Sequence, residues 1–131
     1  MRVALRSRRM RIRTKGQRGG RTAARFKVWV VFGGRVKFGD GRADLLERIA
    51  EVGSFKQAVA GFGMSYRGAW GYFRELERAA GFKLLERQPG GGPAGGTRLT
   101  PEGKRFLARY RRFRQGLDET VARQFTRSFR G

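Results

Sequence analysis

Arg67, Gly71, Arg74 and Arg78 recur at intervals of four, three and four along a stretch free of proline. At 3.6 residues per turn they share one face of a helix. A guanidinium can place two parallel hydrogen bonds on guanine O6 and N7, so an arginine stripe offers base readout in a major groove and phosphate binding beside it. Ala69, Trp70, Phe73, Leu76 and Ala80 form an apolar stripe on the same helix. Such a helix buries the second stripe and presents the first. Ser65, Tyr66 and Arg67 stand nearest its N-terminus, with Arg74 further along. Arg67 is the strongest candidate for reading a base. Lys56, Gln57, Arg78, Arg87 and Arg98 are candidates for phosphate contacts. Any one of these arginines is equally well an exposed surface charge, and the stripe as a group carries the reading.

Composition narrows the alternatives. The chain has 131 residues, 31 Lys and Arg against 10 Asp and Glu, and a net charge of +21. That length implies one domain with a modest core, and that charge points to nucleic acid ahead of acidic membrane surfaces. The absence of His and Cys removes the commonest general base, the commonest transition-metal ligand and all disulfide chemistry. The ten carboxylates read as scattered, with none beside a plausible nucleophile. Neither catalysis, a metal nor a cofactor is expected. No apolar run approaches the ~20 residues that span a bilayer. The basic N-terminus lacks the apolar segment of a secretory signal. No membrane partner is expected, and the expected location is cytoplasmic, on the nucleoid.

The elements that must position the stripe follow from local pattern. Lys27–Phe32 and Arg35–Phe38 are strand-like runs around Gly33-Gly34 and predict a β-hairpin. Asp40 can cap a first helix over 42–52, whose Leu45, Leu46, Ile49 and Val52 share a face. Ser54 with Gln57 fits a capping box that opens a short second helix over 55–61, with Ala58 and Val59 inward. Gly63-Met64 turns the chain, and Ser65 caps the third helix, residues 65–80. Segments 84–87 and 97–99 read as the strands of a β-wing over 84–99. The glycine-rich tip between them either brings backbone N–H groups to phosphates or is a plain surface loop. Thr100 and Pro101 open a last helix, with Glu102 in its first turn.

In that helix Phe106, Tyr110, Phe113, Leu117 and Val121 repeat at spacings of four, three, four and four. This near-heptad stripe needs a cover, either a second copy or the rest of the same domain. A homodimer seam over about 101–128 is the favoured reading. Residues 1–25 carry ten Arg and Lys and no acid. They read as a basic flexible arm, either a phosphate-binding tail or an extension without a dedicated role, and 26–131 as the domain proper. The fold class expected is mainly α with small β: an α+β winged helix-turn-helix with an N-terminal β-hairpin and a long C-terminal helix.

The chain resembles the N-terminal DNA-binding domain of the ModE family of molybdate-responsive regulators, itself related to the LysR-type winged helix. The resemblance rests on 41–49, Gly53-Ser54, Met64-Ser65-Tyr66-Arg67-Gly68-Ala69-Trp70, the glycine wing, and Leu99-Thr100-Pro101-Glu102-Gly103. It covers about 27–117. It implies a homodimeric transcriptional regulator bound to a palindrome in double-stranded DNA and linked to molybdenum metabolism. The family's molybdate site lies in separate C-terminal domains, for which these 131 residues leave no room, so no direct molybdate binding is expected from this chain alone. Gly68 and Gly71 depart from the larger residues frequent in the family and imply a helix backbone lying closer to DNA. The competing class is an architectural nucleoid protein that coats DNA without sequence preference; a ratio of specific to non-specific affinity separates the two.

Overall fold

A computed structural model describes residues 9–12, 21–88 and 96–130. Three two-stranded antiparallel sheets and four helices follow in the order β1 (Arg9–Ile12), β2 (Thr22–Arg25), β3 (Val30–Phe32), β4 (Val36–Phe38), α1 (Asp40–Val52), α2 (Phe55–Ala60), α3 (Tyr66–Ala80), β5 (Leu85–Gln88), β6 (Gly96–Leu99) and α4 (Pro101–Phe129). The α+β winged-helix class expected from sequence is the class found.

The core is built where the periodicities meet. Leu45, Leu46 and Ile49 of α1, Phe55, Ala58 and Val59 of α2, and Ala69, Phe73 and Leu76 of α3 are buried together. Phe55 fixes the angle between α2 and α3, with ring centroids 5.5 Å from Tyr66, 4.9 Å from Trp70 and 6.1 Å from Phe73. The β3–β4 hairpin turns at Gly33 and Gly34, both at positive φ, a conformation natural to glycine. Its Phe38 has no exposed surface and packs on Phe106 and Tyr110 of α4 at 4.7 and 5.2 Å.

Four details differ from the sequence reading. Gly39, without a side-chain bond, is the N-cap of α1, and Asp40 is its first helical residue. The Asp40 carboxylate instead accepts from the Tyr110 hydroxyl at 2.6 Å and from Arg114 Nε at 3.0 Å. Tyr110 is 2% exposed, and Phe106 is half-buried against Phe32, Phe38 and Phe82. These two members of the expected seam therefore pack inside their own chain, because the hairpin supplies the cover that the heptad-like spacing demanded. Phe113 remains 45% exposed, and Leu117 and Val121 are half-buried. Finally, β1 and β2 fall inside the expected arm and pair antiparallel from Arg9 opposite Arg25 to Ile12 opposite Thr22, alongside α4. Strand pairing satisfies backbone N–H and C=O groups whatever charge the side chains carry, which a composition argument does not see. The rest of that arm lies outside the described residues.

The carboxylates are not scattered either. Asp40, Asp44 and Glu47 sit at i, i+4 and i+7 on α1 and face Arg111 and Arg114 on α4. Arg111 reaches Asp44 at 3.1 Å and Glu47 at 2.9 Å. Arg114, itself buried, also bonds Asp118 one turn on and lies 4.2 Å from the Phe26 ring centre. Removing one partner of such a buried set strands the others. Arg114→Leu should therefore lower unfolding free energy by about 3–5 kcal/mol in urea titration.

Burial, with the Asp40 hydrogen bond next in weight, pushes the Tyr110 phenol well above its ordinary 10.0. Burial does the same to Tyr72, whose hydroxyl donates to the Lys37 carbonyl at 2.6 Å. Each phenol ionises less readily in the fold than in the unfolded chain. Its contribution is complete below pH 10 and is lost as pH rises above that value. Stability of the unaltered chain should thus fall on the alkaline side of pH 10, and the fall should be shallower in Tyr110→Phe, read by thermal melts across pH 8 to about 11.

Candidate nucleic-acid interface

Contacts to backbone N–H groups at both ends set the pose of α3. Ser65 Oγ accepts from the Gly68 N–H at 2.9 Å, capping the helix start. Gly68 is part of that cap, since a Cβ there would come within 2.8 Å of Ser65 Oγ. Ser54 Oγ caps α2 in the same way, accepting from Gln57 N at 3.2 Å. At the other end of α3, Glu77 accepts from the N–H groups of Leu84 and Leu85 at 2.8 and 3.1 Å, tying the helix to the first wing strand.

The wing base is anchored on two further sides. Thr97 N donates to the Gly53 carbonyl at 3.0 Å, joining β6 to the α1–α2 turn. Thr100 N donates to the Leu84 carbonyl at 2.9 Å, and its hydroxyl donates to the Lys83 carbonyl at 2.5 Å. The same hydroxyl accepts from Gly103 N at 2.8 Å and so caps α4. A Cβ on Gly103 would collide with the Leu84 carbonyl. The Leu-Thr-Pro-Glu-Gly run is therefore the joint between wing and last helix, which explains its residue types: hydroxyl, fixed φ and no side chain.

On this frame the stripe faces outward. Arg67, Gly71, Arg74 and Arg78 are all exposed, opposite buried Ala69, Phe73 and Leu76. Arg67 and Arg74 have no ion-pair partner among the described residues, whereas Arg78 pairs with Glu75 at 3.2 Å. Ser65 is exposed with its hydroxyl engaged in the cap, and Tyr66 is 46% exposed, leaning on Phe55. Lys56 and Gln57 lie exposed on α2. Arg87 and Arg98 lie exposed on the two wing strands, with Arg98 Nε donating to Glu86 at 2.7 Å. The wing tip, and with it the expected approach of glycine N–H groups to phosphate, lies outside the described residues. Sequence reasoning overlooked the β3–β4 hairpin as part of this side of the molecule. Arg35 reaches across to Glu75 of α3 at 3.6 Å, and the alternation Arg35-Val36-Lys37-Phe38 was the available signal.

Among the described residues, no group of three or more carboxylates could hold a metal ion, and no helix is long and apolar enough to cross a membrane. An arginine-faced helix capped at both ends, second in a helix-turn-helix and followed by an antiparallel wing, is a geometry suited to a major groove.

Comparison with known proteins agrees. Residues 42–104 match the model for the bacterial regulatory helix-turn-helix protein, lysR family. The chain is 38% identical over 82 residues to the molybdenum transport protein ModE of Herbaspirillum seropedicae, covering 63% of this chain and 30% of that protein. It is 38% identical over 69 residues to the DNA-binding transcriptional dual regulator ModE of Escherichia coli K12, covering 53% and 26%. It is 31% identical over 86 residues to the molybdenum-pterin-binding protein MopB of Rhodobacter capsulatus, covering 66% and 32%. The chain thus spans less than a third of the length of the curated relatives it matches.

The two glycines of α3 separate in their expected effects. Gly71 has open space around a would-be Cβ, so Gly71→Ala should raise stability by about 1 kcal/mol through helix propensity. It should weaken binding to duplex DNA if the helix backbone lies against the groove there. Gly68→Ala should instead lower the melting temperature by disturbing the Ser65 cap. Residues 42–104 of this chain are similar to the LysR-type bacterial regulatory helix-turn-helix domain, and its sequence is similar to ModE proteins over 69 to 82 residues.

Proposed function

We propose that this chain is a sequence-specific, double-stranded-DNA-binding transcriptional regulator linked to molybdenum metabolism, without catalytic activity. The observation that carries the reading is the exposed Arg67–Arg74–Arg78 face on a helix whose pose is fixed by Ser65, Glu77 and the wing joint. Arg67 reads a base with Ser65 and Tyr66 beside it, and Arg74 follows. Lys56, Gln57, Arg78, Arg87 and Arg98 hold phosphates. The link to molybdenum rests on the names of the relatives alone. The molecule works as a homodimer through the outer part of α4. Phe113, Leu117 and Val121 continue one stripe there after Tyr110 has turned inward. The arginines of the α3 face point to solvent, and the chain binds molybdate no better than sulfate, which calorimetric titration of both anions checks.

Arg67→Ala should cost about 1–3 kcal/mol on the preferred duplex and relax preference at one base position. Competition between matched and mismatched duplexes measures this. Equal losses on every sequence would make Arg67 a phosphate contact, and equal affinity of the unaltered chain for every sequence would favour the architectural class. For assembly, Leu117→Asp should yield monomers in sedimentation, since a carboxylate buried unpaired in an apolar seam costs several kcal/mol. An unchanged dimer would place the interface elsewhere.

A further inference from the structure

A cleft of about 890 Å³ opens between α3, the start of α1 and the β3–β4 hairpin with the segment leading into it. We propose that it seats the phosphate backbone of the same duplex whose groove α3 enters, a proposal that rests on the DNA reading above. The cleft continues the arginine face. At about 100° per residue, Gly68 and Glu75 lie roughly a quarter-turn round α3 from Arg67, on the side away from Glu77 and the wing. Gly71 belongs to both surfaces, being on the stripe and in the cleft lining. Gly68 and Gly71 put no side chain between the two, so a chain lying along the stripe meets no wall at this edge.

The lining has the chemistry of a phosphate seat. Lys27, Arg35, Lys37 and Arg42 contribute four cations to it. Of its two carboxylates, Asp40 is bonded outside the lining to Tyr110 and Arg114, and Glu75 lies between Arg78 and the cleft's own Arg35, so the lining keeps an excess of positive charge. Arg42 lies 4.8 Å from the Tyr72 ring centre, and its buried Nε has no hydrogen-bond partner among the described residues. Lys37 lies 5.0 Å from the ring centre of Trp29, which is 49% exposed. Aromatic faces that hold cations at a fixed place, beside a cleft open at one edge, suit a continuous polyanion that passes through rather than a small molecule enclosed within. The hairpin then grips DNA on the flank of α3 opposite the wing, and the recognition helix has a phosphate contact on each side.

The test uses the full chain with three probes: the tightest duplex selected from a random library, a scrambled duplex of equal length, and the selected duplex trimmed to the base pairs under α3. Arg35→Gln/Lys37→Gln removes two exposed charges without touching the core. On both long duplexes the slope of log affinity against log salt should become shallower by about 1.8, near 0.9 for each lost contact. The loss should be equal for selected and scrambled sequence and should vanish on the trimmed duplex. Arg35→Lys/Lys37→Arg should restore the slope. Wild-type slope and affinity in Arg35→Gln/Lys37→Gln, alongside a clear loss in Arg67→Ala, would overturn the hairpin contact and leave the regulator reading standing. A loss confined to the selected sequence would overturn it in favour of base readout. A changed sedimentation coefficient of the double variant without DNA would assign the cleft to a second copy. Failure of the unaltered chain to bind either long duplex would overturn both readings.

Discussion

The rest of the structure hangs on the buried charge lattice between α1 and α4. Asp40, Asp44 and Glu47 meet Arg111 and Arg114 where water has been excluded. Two buried arginines without those carboxylates would carry a desolvation penalty of several kcal/mol each, and the converse holds for the carboxylates. Apolar packing between these helices would tolerate sliding by a turn. Ion pairs of defined geometry, with a tyrosine hydroxyl bonded into the set, fix one register. That register decides where α4 begins. Its first turn carries Thr100 and Gly103, which hold the wing, and the wing in turn holds the end of α3 through Glu77. Charge pairing on one side of the molecule thereby determines the aim of the arginine face on another.

The joint at residues 97–103 shows why this transmission is stiff. Thr100 serves as donor, acceptor and backbone link within one residue, to Lys83, Gly103 and Leu84. Gly103 lets helix backbone and strand backbone touch. Neither contact has slack for a longer side chain, so wing, α3 and α4 are joined by short, direct contacts. Such a joint suits the proposed reading of DNA, because hydrogen bonds weaken steeply as donor and acceptor depart from their preferred distance and angle.

Much of this was legible from residue order. Helix starts at Ser54, Ser65 and Thr100 were readable because capping is a local matter of one side chain and a backbone N–H three residues on. The hairpin turn at Gly33-Gly34 and the burial of Ala58, Val59, Ala69, Phe73 and Leu76 followed from periodicity. What could not be read was pairing across the chain. Phe106 and Tyr110 looked like half of a dimer stripe because spacing records that a face is apolar and not what covers it. Asp40 looked like a cap because its partner lies seventy positions away at Tyr110. The strands at 9–12 and 22–25 were hidden by composition. The cleft beside Gly71 is formed by three separate elements, so no single segment announced it. The stripe itself was legible in full, because helical periodicity alone places Arg67, Gly71, Arg74 and Arg78 on one exposed face.

The distribution of the ten carboxylates gives the strongest physical argument about the surface. Asp40, Asp44, Glu47 and Asp118 lie inside the lattice, and Glu77 is occupied by two backbone N–H groups of the wing. Glu51, Glu75, Glu86 and Glu102 pair with exposed arginines, and Glu119 accepts from Gln115. Five of the ten thus act in the interior or at the wing joint. The other five are dispersed, and of these only Glu75 borders the α3 face, held there between Arg35 and Arg78. Opposite charges attract more strongly where the dielectric is low, so a carboxylate does more for its partner arginine at such a contact than in water. Four of the ten sit at the α1–α4 contact, and this leaves outside a face on which Arg67 and Arg74 have no ion-pair partner among the described residues.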